Sequence, residues 1–204
     1  MDWVSRWFDL KKYPKILCED IAIREYLTKK LRGAGVARIE IERTGGKISV
    51  IIHSSRPGII IGRAGRGVED LNEHLEKILR QARRGSKAAS PQLRLEVREI
   101  RNPECFASLV GLSIAEQIEK RMPFRRVMKK TMERIMANKG VKGAKIIVAG
   151  RLNGAEMARR EGIKDGVMPR NTLRADIDFS VQEAYTIYGT IGIKVWIYKG
   201  QKLE

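Results

Sequence analysis

The residues of this chain best able to do chemistry are cations and glycines. Gly62-Arg63-Ala64-Gly65, followed by Arg66, stands between an apolar run, Ile59 to Ile61, and a stretch with Val68, Leu71, Leu75, Ile78 and Leu79 at helical spacing. Glycine at both ends of a tight turn removes side chains from a place where another backbone could approach. A helix starting behind the turn aims its unpaired N–H groups and its positive dipole end at whatever sits there, and phosphate is the natural occupant. The tetrapeptide alone is not specific in a chain with 19 glycines. A second group lies in FRRVMKKTMERIM, beginning at Phe124. At ~100° per residue, Arg125, Arg126, Lys129 and Lys130 fall within roughly 140° of arc, with Phe124, Val127, Met128, Thr131 and Ile135 opposite. Glu133 is the one acid in that stretch. Solvated faces usually mix signs; a face of one sign fits a polyanion. Arg151, Arg159 and Arg160, in GRLNGAEMARREG, add a third cationic group, placed in a loop.

The whole chain supports that ligand class. Its 41 Lys and Arg against 24 Asp and Glu give a formal charge of +17 and a pI near 10.2. Both halves share the excess, with 21 basic against 13 acidic residues through residue 100 and 20 against 11 beyond it. Such self-repulsion is tolerated by a chain that meets nucleic acid or an anionic membrane. No apolar segment approaches the roughly 20 residues of a membrane span, and no signal-peptide pattern opens the sequence, so nucleic acid is favoured over membrane.

Catalytic chemistry finds little support. No G-x-x-x-x-G-K-[ST] occurs, which disfavours a nucleotide hydrolase. His53, near a strand end, and His74, on a polar helix face, read as surface or satisfied residues. Cys18 and Cys105 have no His or Cys at ligand spacing and read as small apolar residues in a reducing cytosol. Asp176 and Asp178 share a polar strand face and are expected to pair with Arg174 rather than bind metal. No catalytic residue, metal, cofactor or small-molecule substrate is expected.

The elements that must position these residues follow from periodicity. After Met1 to Tyr13, which carries Trp3, Trp7 and Phe8 without a clear period, Ile16 to Leu31 reads as a helix. Ala37, Ile39 and Ile41, then Ile48, Val50 and Ile52, alternate as two strands of a hairpin across Thr44-Gly45-Gly46. The Gly-x-x-Gly stretch and its helix come next, ending near Gly85-Ser86-Lys87, and Leu93, Leu95 and Val97 form a third strand. Asn102-Pro103-Glu104 has the signature of a helix start, with Asn102 as cap. Pro123 separates that helix from the cationic one, and strands follow. In TLRADIDFSV, Leu173, Ala175, Ile177, Phe179 and Val181 alternate with Arg174, Asp176, Asp178 and Ser180. The last strand sets Ile191, Ile193, Val195 and Ile197 against Lys194, Trp196 and Tyr198. The fold class is α+β: an arm over 1–15, a domain over 16–100 with helices and three strands, and a domain over 101–204 with two helices and a mainly antiparallel sheet.

The order helix, strand, strand, short helix, Gly-x-x-Gly, helix, strand resembles the type II KH domain, which implies a three-stranded sheet with helices on one face. Behind it, FRRVMKK, GRLNGAEMAR, TLRADIDF and YGTIGIKVWIYKG in that order resemble the family of the universal third protein of the small ribosomal subunit, in its bacterial form. The resemblance covers nearly the whole chain from about Tyr26. It implies a non-enzymatic, cytoplasmic component of the subunit head, bound to small-subunit rRNA and neighbouring small-subunit proteins, that lines the channel through which mRNA enters. Carried over by position, Arg125, Arg126 and Lys129 face incoming mRNA and assist its unwinding, with Lys130 beside them. Gly62 to Gly65 carries over as an RNA-facing turn with Arg63 as its charged contact, and Ala64 stands where a second basic residue is often found. Family members generally begin with a basic segment that anchors in rRNA; Met1-Asp2-Trp3 begins past that point, through truncation or lineage, and the resemblance leaves that anchor open. The alternative is a free KH-domain RNA-binding regulator or chaperone working off the ribosome.

Overall fold

A computed structural model of the chain describes residues 3–10, 12–82 and 92–202, with the backbone alone at Ala64 and Ala82. They fall into two compact units, Met1–Arg101 and Asn102–Glu204. Each unit has its own apolar core.

In the first unit, strand β1 (Ser5–Arg6) precedes helix α1 (Tyr13–Lys30), which carries Pro14 in its first turn, where a missing N–H costs nothing. Ile23, Leu27 and, just past the helix, Leu31 recur every fourth residue and enter the core, whereas Ile21 is exposed. Strands β2 (Val36–Thr44) and β3 (Lys47–Ser54) pair antiparallel across Gly45 and Gly46. Both glycines have positive φ, 57° and 83°, which a two-residue hairpin turn of the primed type requires. Helices α2 (Pro57–Ile61) and α3 (Arg66–Ala82) then carry the chain back, so strand β4 (Gln92–Glu99) lies parallel to β3. Ile39, Ile41, Ile48, Val50 and Ile52 meet Leu71, Leu75 and Leu79 in the core. A fully buried Ile or Leu contributes about 1.5–3 kcal/mol. The expected turn at Gly85-Ser86-Lys87 lies outside the described residues.

The sheet has four strands in the order β1-β2-β3-β4, where three were expected. The addition is β1, parallel to β2 at Ile41 and Glu42. Sequence periodicity misses it because polar bonds hold it. Asp20, 1% exposed, accepts from Ser5 Oγ at 3.0 Å, Trp7 Nε1 at 2.7 Å and Arg43 Nε at 3.0 Å. Arg43 also bonds Glu19 at 2.6 Å, so two carboxylates and one guanidinium share a nearly dry site.

In the second unit, helices α4 (Ala107–Glu119) and α5 (Phe124–Met136) precede β5 (Gly143–Gly150), β6 (Arg159–Gly166), β7 (Ala175–Thr186) and β8 (Gly189–Gln201). The sheet is antiparallel throughout, in the order β6-β5-β8-β7. Helix α4 packs on β7 and β8, and α5 on β5 and β6. Between them lie Ile114, Ile118, Val127, Met128, Ile135, Ile146, Val148, Ile193 and Val195.

Three local expectations are corrected. Asn102 makes no side-chain cap. Pro103–Cys105 is a 3-10 turn, α4 starts at Ala107, and the bond to the Ala107 N–H comes from Asp178 Oδ2 on β7 at 3.0 Å. That carboxylate also lies 3.7 Å from Lys199 Nζ, so Asp178 is used by α4 and β8 rather than by Arg174. Arg159 and Arg160 belong to β6, not to a loop, because the connection after β5 closes in a short 3-10 turn, Leu152–Gly154. The Phe179 and Val181 side of β7 points away from the helices and leaves both half-exposed, and Leu173, ahead of the strand, is fully exposed. The helix side holds Asp178, Gln182 and Ala184. Gly111 of α4 permits this, since a Cβ there would stand 2.7 Å from Gln182 Cγ.

Candidate nucleic-acid interface

Helix α5 presents a strongly cationic surface. Pro123 sets its entry angle, and Phe124, Val127, Met128, Thr131, Met132 and Ile135 bury one side. Burying that stripe fixes the rotation of the helix, and Arg125, Arg126, Lys129 and Lys130 are therefore all exposed on the other. The four predicted cations do share one face.

That face is less uniform than its own sequence implies. Glu161, on β6, reaches Arg125 in a two-pronged bond, Nε to Oε2 at 3.1 Å and Nη2 to Oε1 at 3.2 Å. It also holds Arg159 Nε at 3.2 Å. Both guanidinium groups lie over the Phe124 ring, 5.7 Å and 5.8 Å from its centre. Hydrogen bonding from Arg125 comes first among the causes that hold the Glu161 carboxyl below its ordinary range, and it raises Arg125 in return. Arg125 is thus oriented and half neutralised. Among the described residues no side-chain acid pairs with Arg126, Lys129 or Lys130.

The Gly-x-x-Gly turn forms as expected between α2 and α3. Gly62 adopts φ 69°, ψ −175°, a region open essentially to glycine, and Gly65 has φ 80°. Arg63–Gly65 make one 3-10 turn ahead of α3, with Arg63 and Arg66 exposed; the Ala64 side chain lies outside what is described. Gly67 brings α3 against α2 so closely that a Cβ would stand 2.5 Å from the Ile60 carbonyl oxygen. Glu69 and Asp70 follow at once and offset the two arginines, so the turn carries less net charge than the α5 face. Ile59 and Ile61 remain largely exposed beside it while Ile60 is buried, giving the turn an apolar flank that the Ile run did not announce.

Of the third group, Arg159 joins the α5 cluster through Glu161, and Arg160 points to the opposite, outer face of the sheet. Arg151 stays apart, with its Nε donating to the Ala155 carbonyl at 2.9 Å and its guanidinium 5.5 Å from the Tyr188 ring centre. The outer face also carries Trp196 against Phe179, with ring centres 5.0 Å apart, and Lys145 5.4 Å from the Trp196 ring. Strand alternation alone could not have shown these rings to be uncovered. No helix among the described residues is long and apolar enough to cross a membrane.

Comparison with known families defines the class. Residues 22–105 match the family model for the KH domain, and residues 114–197 match the one for the C-terminal domain of ribosomal protein S3. The chain is thus a KH module followed by an S3-type α+β domain. Relatives match over its full length. The small ribosomal subunit protein uS3 of Caldicellulosiruptor saccharolyticus is 51% identical over 203 residues, covering 99% of this chain and 87% of that protein. Those of Maridesulfovibrio salexigens and Lawsonia intracellularis are 50% and 48% identical over 204 residues, each covering 100% of this chain and 90% of the relative. The chain belongs to the small ribosomal subunit protein uS3 family.

Proposed function

We propose that this chain is a structural component of the small ribosomal subunit, held by rRNA and neighbouring proteins, and that the exposed face of α5 lines the path of mRNA and helps open its structure. The observation that carries this reading is the α5 surface: four cations on one exposed side of a helix whose other side is locked into a core. Phosphates meet such a face without any catalytic group, and contacts of this kind position RNA without reading its sequence.

Opening a hairpin needs differential binding. If Arg125, Arg126, Lys129 and Lys130 hold the phosphates of a single strand better than those of a duplex, each opened pair is partly compensated and re-pairing is slowed. One exposed contact changes an equilibrium by only a small factor, so several cations act together and the translocating ribosome supplies the rest. The Gly-x-x-Gly turn with Arg63 and Arg66, and the Arg151 and Arg160 positions, serve as contacts to rRNA in this reading.

Replacing Arg125, Arg126 and Lys129 together by Ala tests it. Subunits carrying the variant should assemble normally on sucrose gradients yet translate a message with a stable hairpin more slowly than an unstructured one, relative to wild type. Equal rates on both messages, or a wild-type tagged chain sedimenting away from ribosomes, would reject the reading.

A further inference from the structure

A cavity of about 330 Å³ opens where the α4–α5 corner meets the 3-10 turn after β5 and the tip of the β7–β8 hairpin. Ile118 and Ile191 lie at its base, and Arg121, Arg151, Tyr185 and Tyr188 stand around it. At the small end of the roughly 300–1,000 Å³ range of ligand sites, it holds one small planar group and excludes a stacked duplex. It lies beside Phe124, at the start of the cationic helix, but shares none of the four stripe cations.

Its rim is built at a conformational cost. Helix α4 ends in a paired-bond motif, with the Arg121 N–H donating to Ile118 O at 2.9 Å and the Met122 N–H donating to Gln117 O at 3.1 Å. The position after the cap in that motif is left-handed and normally glycine; here it is Arg121, with φ 59°. Asn153, across the cavity, is the other described non-glycine residue with positive φ, 55°. A left-handed backbone disfavours Arg and would leave glycine unstrained, so the side chain, not the backbone, accounts for its presence. Among the described residues Arg121 has no side-chain acid partner.

The remaining wall suits a nucleobase. Gly154 packs on the Tyr188 ring so tightly that a Cβ would lie 2.9 Å from Tyr188 Cε2, and Tyr188 stays about half exposed. The Arg151 guanidinium 5.5 Å from that ring is tethered by its Nε alone, which leaves its two terminal nitrogens to donate. The one lining acid, Glu119, has its Oε1 engaged by the Tyr185 backbone N–H at 3.0 Å. Two guanidinium groups beside exposed phenol rings are the chemistry that takes up an unstacked base with its phosphate.

We infer that this cavity binds one unstacked nucleotide of single-stranded RNA, with its base against Tyr188 and its phosphate on Arg121 and Arg151. The inference takes its ligand class from the RNA reading above and adds a site outside α5. The test is the full chain titrated into a fluorescein-labelled 12-nucleotide single-stranded RNA carrying 4-thiouridine, with irradiation and mapping of cross-linked peptides. Cross-links are expected on the peptide containing Tyr185 and Tyr188. Tyr188→Ala should weaken binding at least fivefold, and Tyr188→Phe should restore most of it. Arg121→Gly, which relieves the backbone, should melt no lower than wild type and still bind more weakly. Wild-type affinity in Y188A and R121G, or cross-links confined to other peptides, would overturn the inference. If R126A/K129A loses affinity while Y188A does not, the cavity assignment falls and the α5 reading stands; the opposite pattern reverses that. No binding of the oligonucleotide by the wild-type chain, or capture of a partner protein's side chain in the cavity, overturns it as well.

Discussion

Glu161→Gln is the perturbation that separates two roles for the acid lying against the cationic face. The substitution keeps the size and two of the polar positions of the side chain and removes its charge. In the wild type one carboxylate serves Arg125 at 3.1 Å and 3.2 Å and Arg159 at 3.2 Å, so the three groups together carry +1; in E161Q they carry +2. If Arg125 meets a phosphate, freeing it adds about one contact. For single-stranded RNA that steepens the slope of log affinity against log salt by about 0.7, and raises affinity near 0.1 M salt by roughly two- to fivefold. Fluorescence anisotropy with a labelled single-stranded RNA at about 50, 100 and 200 mM salt reads both quantities. An unchanged slope and affinity would mean that Arg125 touches no phosphate. Weaker binding would mean that Glu161 positions the guanidinium rather than masking it, and either result refutes the masking reasoning. The pH dependence has a definite sign. Hydrogen bonding from Arg125 lowers the Glu161 pKa in the folded protein, so the pair's contribution to stability is complete above the unfolded carboxylate pKa and is lost as pH falls through the lower folded value. The difference between E161Q and wild type should therefore be flat from about pH 6 to 8 and shrink only in acid.

Two further predictions concern stability. Asp178→Ala removes the bond to the first N–H of α4 and should lower the unfolding free energy by about 1–2 kcal/mol in urea titrations, and a change under a few tenths would remove the capping role. Asp20→Ala leaves Trp7 Nε1 without its acceptor and Arg43, whose side chain is 10% exposed, with Glu19 alone. It should cost about 3–5 kcal/mol and shift Trp7 emission as the Ser5–Arg6 strand is released, with Asp20→Asn milder; a cost below about 1 kcal/mol would mean that the network is slack.

The family's fold order was legible because its signals are local. Helical spacing in FRRVMKKTMERIM fixes which side of α5 is apolar, and two positive-φ glycines fix the β2–β3 turn, whatever the rest of the chain does. Partnerships between distant residues were not legible. Glu161 lies 36 positions from Arg125, and Asp178 lies 71 from Ala107, so no window of sequence contains both members. Arg121 and Tyr188 share a cavity only because a helix corner and a hairpin tip meet.

Strand β7 marks the boundary between the two kinds of information. Alternation told that its two faces differ, but a period of two is symmetric and does not say which face is covered. Helix α4 decides, and it lies on the side of Gln182 and Ala184, where Gly111 allows contact, leaving Phe179 and Val181 outside. The sequence by itself determined the elements, the basic charge and the cationic side of α5, since each depends on neighbours a few residues apart. Tertiary structure alone decided which acid restrains Arg125, which carboxylate starts α4 and which rings stay uncovered, because those outcomes depend on strand register and helix placement.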